Sequence, residues 1–137
     1  VTACGGVLRY MLQYSGLGEV IGDAVSSANL PIVVVAFVVA ALVRISVGSS
    51  TVAMTMAAGI VAALPGIAEL SLLYLACTTA AVAGGATVCS HFNDSGFWLV
   101  KSLVGMDEKT TLKTWTIMET LVGGTGFLVA LIISFFA

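Results

Sequence analysis

One stretch of the chain sets four chemically able side chains almost side by side: His91, Asn93, Asp94 and Ser95, within Ser90-His91-Phe92-Asn93-Asp94-Ser95-Gly96-Phe97-Trp98. A second polar group, Ser49, Ser50 and Thr51, follows Gly48. Both interrupt long apolar runs. Hydrocarbon offers such groups no hydrogen bonds, so leaving them unpaired at membrane depth costs several kcal/mol each. Polar clusters kept there mark substrate or ion pathways. Hydroxyls and amides at helix starts suit an anion that carries hydroxyl groups of its own. The residues expected to bind such a ligand are Ser49, Ser50, Thr51, Asn93 and Ser95. Those expected to carry a proton are His91, Asp94 and Glu119. Histidine is the side chain that ordinarily exchanges a proton near physiological pH, and His91 is the only one in the sequence. Asp94 and Glu119 are carboxyls in apolar surroundings.

Each of these residues has a plainer reading. The cluster around Asn93 also suits a polar loop in solvent. His91 also suits a neutral hydrogen-bonding role, and Asp94 the cap of a helix starting at Ser95. Glu119 also suits a structural pair with Lys113 or Arg44. Arg44 could attract a carboxylate, snorkel to the surface, or form a structural pair. Trp98 and Trp115 read as packing or interface aromatics.

The composition narrows the class. Of 137 residues, 59% are hydrophobic and 9% charged, and the mean hydropathy is +1.12. Soluble domains carry about 25% charged residues, so this chain cannot cover a water-facing surface. It reads as an all-α integral membrane protein whose obligatory partner is the lipid bilayer. A net charge of −2 with no basic stripe points away from nucleic acid. No nucleophile, base and orienting group stand together, so the chain does not read as an enzyme. One histidine and three scattered cysteines give no metal site, and no cofactor motif is present. Cys4, Cys77 and Cys89 read as small apolar packing residues.

These residues need elements to hold them. Residues 1–15 read as the end of a transmembrane helix. Over 17–28, Leu17, Val20, Ile21, Ala24, Val25 and Ala28 share one helical face, which predicts an amphipathic helix in the interface or an ordinary loop helix. Pro31 opens the next helix. Residues 31–46 make a helix of about 24 Å, short of a hydrocarbon core of about 30 Å. With the apolar run that follows Thr51, residues 31–64 predict a re-entrant hairpin tipped by Ser49, Ser50 and Thr51. One long tilted helix is the alternative. Residues 70–104 predict a transmembrane helix broken at the His91–Ser95 cluster, with Gly84-Gly85 weakening it first. Lys101, Lys109 and Lys113 gather around the following turn, which places it on the cytoplasmic side. Residues 112–136 predict the last span, where Gly123-Gly124-Thr125-Gly126 permit close packing. The whole reads as one membrane domain over 1–137. It begins at Val1 inside an apolar run, so it is expected to be a piece of a longer protein.

Three strings resemble a known family: Gly48-Ser49-Ser50-Thr51-Val52-Ala53-Met54, the run from Ser90 to Trp98, and Leu112-Lys113-Thr114-Trp115-Thr116-Ile117-Met118-Glu119-Thr120. They are similar to the C-terminal part of gluconate:proton symporters, the gluconate permease family. The resemblance covers essentially the whole chain and about the last third of a family member. It implies an inverted-repeat secondary transporter in a bacterial inner membrane, crossing it several times. It implies a sugar acid and a proton as cargo, and the N-terminal part of the transporter as partner. A carrier of another small carboxylate, amino acid or hydroxy acid, and a non-transporting membrane module are the competing readings. The oligomeric state is left open, a homo-oligomer included.

Overall fold

The computed structural model describes residues 7, 10, 11, 14–16, 30–64 and 66–137. The interfacial helix expected over 17–28 lies outside the described residues, as does most of the segment expected over 1–15. Every element among the described residues is helical: α1 (Ile32–Val47), α2 (Ser50–Ala62), a 3-10 turn (Ile67–Glu69), α3 (Leu72–Thr87), α4 (Ser95–Val104) and α5 (Glu108–Ser134).

Local chemistry sets the ends of these helices. Pro31 cannot donate a backbone hydrogen bond, and it stands just outside the start of α1. Gly48 closes α1 in the left-handed region at φ 76°, where its N–H returns to the Arg44 carbonyl. The side chain of Ser49 then caps α2, that of Ser71 caps α3, and that of Asp94 caps α4. Gly105 ends α4 at φ 74°.

The last helix begins earlier than residue 112, where its apolar run begins. Asp107 accepts a hydrogen bond from the Thr110 N–H and caps the helix, so α5 starts at Glu108. Residues Leu112–Thr116 of this helix form one π-helical turn. At 27 residues, α5 is long and apolar enough to cross a membrane. Its length of about 40 Å exceeds the hydrocarbon core. Leu121, Val122, Leu128, Val129, Ile132 and Ile133 stand exposed along it.

Small residues hold the bundle together. Ala36 and Ala40 of α1, Ala53 and Ala57 of α2, and Ala81 and Ala86 of α3 are fully buried in one core. Short side chains let helix backbones approach closely, and in a bilayer this contact replaces the hydrophobic drive. The helix does not stop at Gly84-Gly85: α3 runs on to Thr87. Both glycines are contact surfaces instead. A Cβ on Gly85 would stand 2.3 Å from the Phe37 carbonyl oxygen of α1. One on Gly84 would stand 2.7 Å from the Gly123 carbonyl oxygen of α5. Phe37 and Phe127 stack beside this crossing, with ring centroids 4.1 Å apart. The glycines of α5 do permit close packing, at Gly123.

Candidate functional site

The chain between α3 and α4 is irregular, so its backbone polar groups need partners from elsewhere. Helix α5 supplies several. The Cys89 N–H donates to Thr120 Oγ1 at 3.1 Å. Thr116 Oγ1 donates to the Ser90 carbonyl. Trp115 Nε1 donates to Ser90 Oγ at 2.9 Å. Trp115 and Thr116 both lie in the π-helical turn. Such turns often mark functional positions, and this one shifts the register of the side chains that reach the break. Cys89 sits at φ 54°, a left-handed conformation that costs a non-glycine residue about 1 kcal/mol or more. Trp98 Nε1 closes the loop from the far side, donating to the Phe92 carbonyl at 2.7 Å.

An ion pair lies at the centre. Arg44, from α1, is 2% exposed and donates through Nη2 to Asp94 Oδ2 at 2.5 Å. Its Nη1 donates to the Gly48 carbonyl at 2.6 Å. Asp94 also accepts from Ser90 Oγ at 2.5 Å and from the Gly96 N–H at 2.9 Å. Ser90 is fully buried. The carboxylate therefore caps α4 and neutralises Arg44 together. Removing one partner of a buried pair like this costs about 3–5 kcal/mol, because the other charge is left uncompensated.

The same contact joins the two breaks. Asn93 Nδ2 donates to the Ile45 carbonyl at 2.8 Å. A Cβ on Gly48 would stand 2.2 Å from the Asn93 carbonyl oxygen, so the two backbones touch there. The starts of α2 and α4 each lie two residues beyond this contact. Each helix start presents the positive end of a helix dipole and the first-turn N–H groups beyond the one its cap takes.

The expected ligand-binding residues differ in what they have to offer. Ser49 spends its hydroxyl on the Val52 N–H at 3.5 Å. Asn93 spends its amide N–H on Ile45, which leaves its side-chain oxygen to accept. The hydroxyls of Ser50, Thr51 and Ser95 make no hydrogen bond among the described residues, and Thr51 and Ser95 are exposed. Of the proton candidates, Asp94 is the most engaged. His91 Nδ1 lies 2.8 Å from the Cys89 carbonyl. Glu119 forms no ion pair with Lys113 or Arg44; it is half-buried on α5, within electrostatic reach of Arg44 and Asp94. An apolar hollow of about 170 Å³ lies elsewhere, between α2 and α3, lined by Ala58, Val61, Leu75, Thr78 and Val82, and holds none of these residues.

Sequence reasoning missed Ser90, Thr116 and Thr120 as parts of the site and read Trp115 as a packing or interface aromatic. Arg44 was noticed, but its partner was not. Clustering in the Leu112–Thr120 string was the one available signal.

Apolar helices, two of them starting at adjoining breaks over a buried ion pair, define a helical membrane protein. Over residues 1–136 the chain matches the GntP family permease, and it belongs to that family. It is 44% identical over 134 residues to the low-affinity gluconate transporter of Escherichia coli, covering 96% of this chain and 30% of that protein. It is 40% identical to the gluconate permease of Pseudomonas aeruginosa, covering 98% of this chain and 29% of that protein. It is 36% identical to the Gnt-II system L-idonate transporter of Escherichia coli, covering 98% of this chain and 30% of that protein. The chain thus spans under a third of the length of these relatives, which are named transporters and permeases rather than enzymes. No solved structure matches it.

Proposed function

We propose that this chain is the C-terminal part of a secondary carrier that moves gluconate or a related sugar acid together with a proton. The supporting observation is the Gly48–Asn93 contact, which sets two helix starts side by side above a buried arginine. The N–H groups at those starts favour a carboxylate. The Ser50, Thr51 and Ser95 hydroxyls and the Asn93 side-chain oxygen favour the hydroxyl groups of a sugar acid. Relatives named for gluconate and L-idonate, both sugar acids, point the same way.

In this reading α1 and α2 form a re-entrant hairpin. Their 16 and 13 residues make helices too short to span alone. Helices α3 and α4 are the halves of a broken transmembrane helix, and the rest of the longer protein supplies an inverted copy of both. The carrier sits in a bacterial inner membrane and crosses it several times. His91, Asp94 and Glu119 are the candidates for the coupled proton.

The experiment is uptake of labelled gluconate by the longer protein in proteoliposomes. Accumulation that follows an imposed pH gradient and collapses with a protonophore supports the reading. Failure to accumulate any sugar acid under that gradient contradicts it.

A further inference from the structure

We infer that Arg44 takes the carboxylate of the substrate, and that Asp94 is the internal counter-ion it leaves, which accepts a proton as it is released. This rests on the sugar-acid reading above and assigns the coupling within it.

Arg44 has donors to spare. A guanidinium carries five N–H groups in a planar fork suited to a carboxylate. Here one bond goes to Gly48 and one to Asp94, while the buried Nε has no partner among the described residues. A buried arginine with an orphaned donor can donate to a second carboxylate group. It also lies directly beneath the tip, since its Nη1 holds the Gly48 carbonyl two residues before α2.

Charge balance supplies the coupling. Arg44 and Asp94 together are neutral. An arriving carboxylate would leave the buried group with a net negative charge, which a low-dielectric setting strongly disfavours. One proton restores neutrality. When the substrate carboxylate takes Arg44 Nε and Nη2, and the bond from Nη2 to Asp94 Oδ2 breaks, Asp94 becomes a buried carboxylate without its cation. It then takes a proton from the side open to water. Ser90 suits both states. Its hydroxyl now donates to Asp94 Oδ2, and a hydroxyl can turn to accept from a protonated carboxyl while Trp115 Nε1 still donates to its oxygen.

Among the described residues, other ionisable groups near the pair are few. Glu119 on α5 is within electrostatic reach of both members. His91, in the break, turns Nδ1 to the Cys89 carbonyl. Helix α2 has no acidic or basic residue, and α3 has only Tyr74 and Cys77. Lys101 on α4 is held by Glu108.

The test is equilibrium binding of labelled gluconate to the full-length carrier at a series of pH values, with exchange and accumulation measured in proteoliposomes. In the unaltered protein, affinity should rise about tenfold for each unit fall in pH, because one proton binds with each gluconate. Asp94→Asn should bind gluconate with an affinity independent of pH, exchange it across the membrane, and fail to accumulate it. Arg44→Gln should weaken binding by at least about tenfold. A pH slope that survives in Asp94→Asn, or that disappears in Glu119→Gln alone, overturns the inference and leaves the sugar-acid reading standing. Absence of sugar-acid binding and uptake in the unaltered protein removes that reading, and the inference with it. Infrared difference spectra of the unaltered protein, with isotope-labelled aspartate, serve if Asp94→Asn does not fold. Gluconate should convert one aspartate from its ionised to its protonated band, and no such conversion overturns the inference.

Discussion

Replacing Gly48 with alanine tests whether the two breaks meet. Gly48 is at φ 76°, and Gly105, at the end of α4, is at φ 74°. Alanine at either position carries the same conformational cost, about 1 kcal/mol. Their surroundings differ. Among the described residues, nothing lies within 4 Å of a Cβ built on Gly105. At Gly48 the added carbon would stand 2.2 Å from the Asn93 carbonyl oxygen and 2.6 Å from its carbonyl carbon. Ordinary contact begins near 3.4 Å, so tip and break must separate by about 1 Å. Both sides are backbone and cannot swing away as a flexible side chain would. Overpacking of this kind adds about 1–3 kcal/mol. Gly48→Ala should therefore destabilise the full-length protein by roughly 2–4 kcal/mol, against about 1 kcal/mol for Gly105→Ala. It should also weaken gluconate binding, which Gly105→Ala should leave near its starting value. Thermal unfolding of the purified proteins, with and without gluconate, gives both readouts. Equal losses from the two substitutions would refute the close approach of Gly48 and Asn93.

Ser50→Ala combined with Thr51→Ala should weaken apparent affinity for gluconate while leaving the unfolding temperature nearly unchanged, because these hydroxyls bond to nothing among the described residues; each should account for about 1 kcal/mol, read from competition binding. Asn93→Ala removes the bond to the Ile45 carbonyl as well as the free side-chain oxygen, so it should lower both stability and affinity, the latter by roughly 1–3 kcal/mol. At the start of α5, hydrogen bonds from Thr110 hold the Asp107 carboxyl below its ordinary range. A depressed carboxyl contributes stability above its unfolded pKa and loses it as pH falls through the folded one. The stability gap between the parent and Asp107→Ala should therefore be full at neutral pH and close below the usual carboxylate range, as followed by unfolding at stepped pH.

Local chemistry was the legible part. Asp94 reads as a helix cap because capping involves only the next two or three residues. The interruptions near Gly48 and Asn93 show as polar gaps in apolar runs. Pairings across the fold were not legible. Arg44 and Asp94 are fifty positions apart, and either alone fits several roles. The links from Trp115, Thr116 and Thr120 to Ser90 and Cys89 depend on how α5 crosses the break, which helical periodicity does not specify. Gly84 misled for a related reason. Its propensity argues against helix, but its value lies in meeting Gly123 on another helix.

The most direct test of a shared site at the two breaks is substrate protection from a thiol reagent. Single cysteines are introduced as Ser50→Cys, Ser95→Cys and, as a control near the far end of α4, Ser102→Cys, in the full-length protein with its other cysteines replaced. The rate of maleimide labelling is then followed as gluconate is raised. A shared site predicts that gluconate slows labelling at positions 50 and 95 with the same half-maximal concentration and leaves position 102 unchanged. Protection at only one of the two breaks, or at neither, in a protein that still transports gluconate would contradict it.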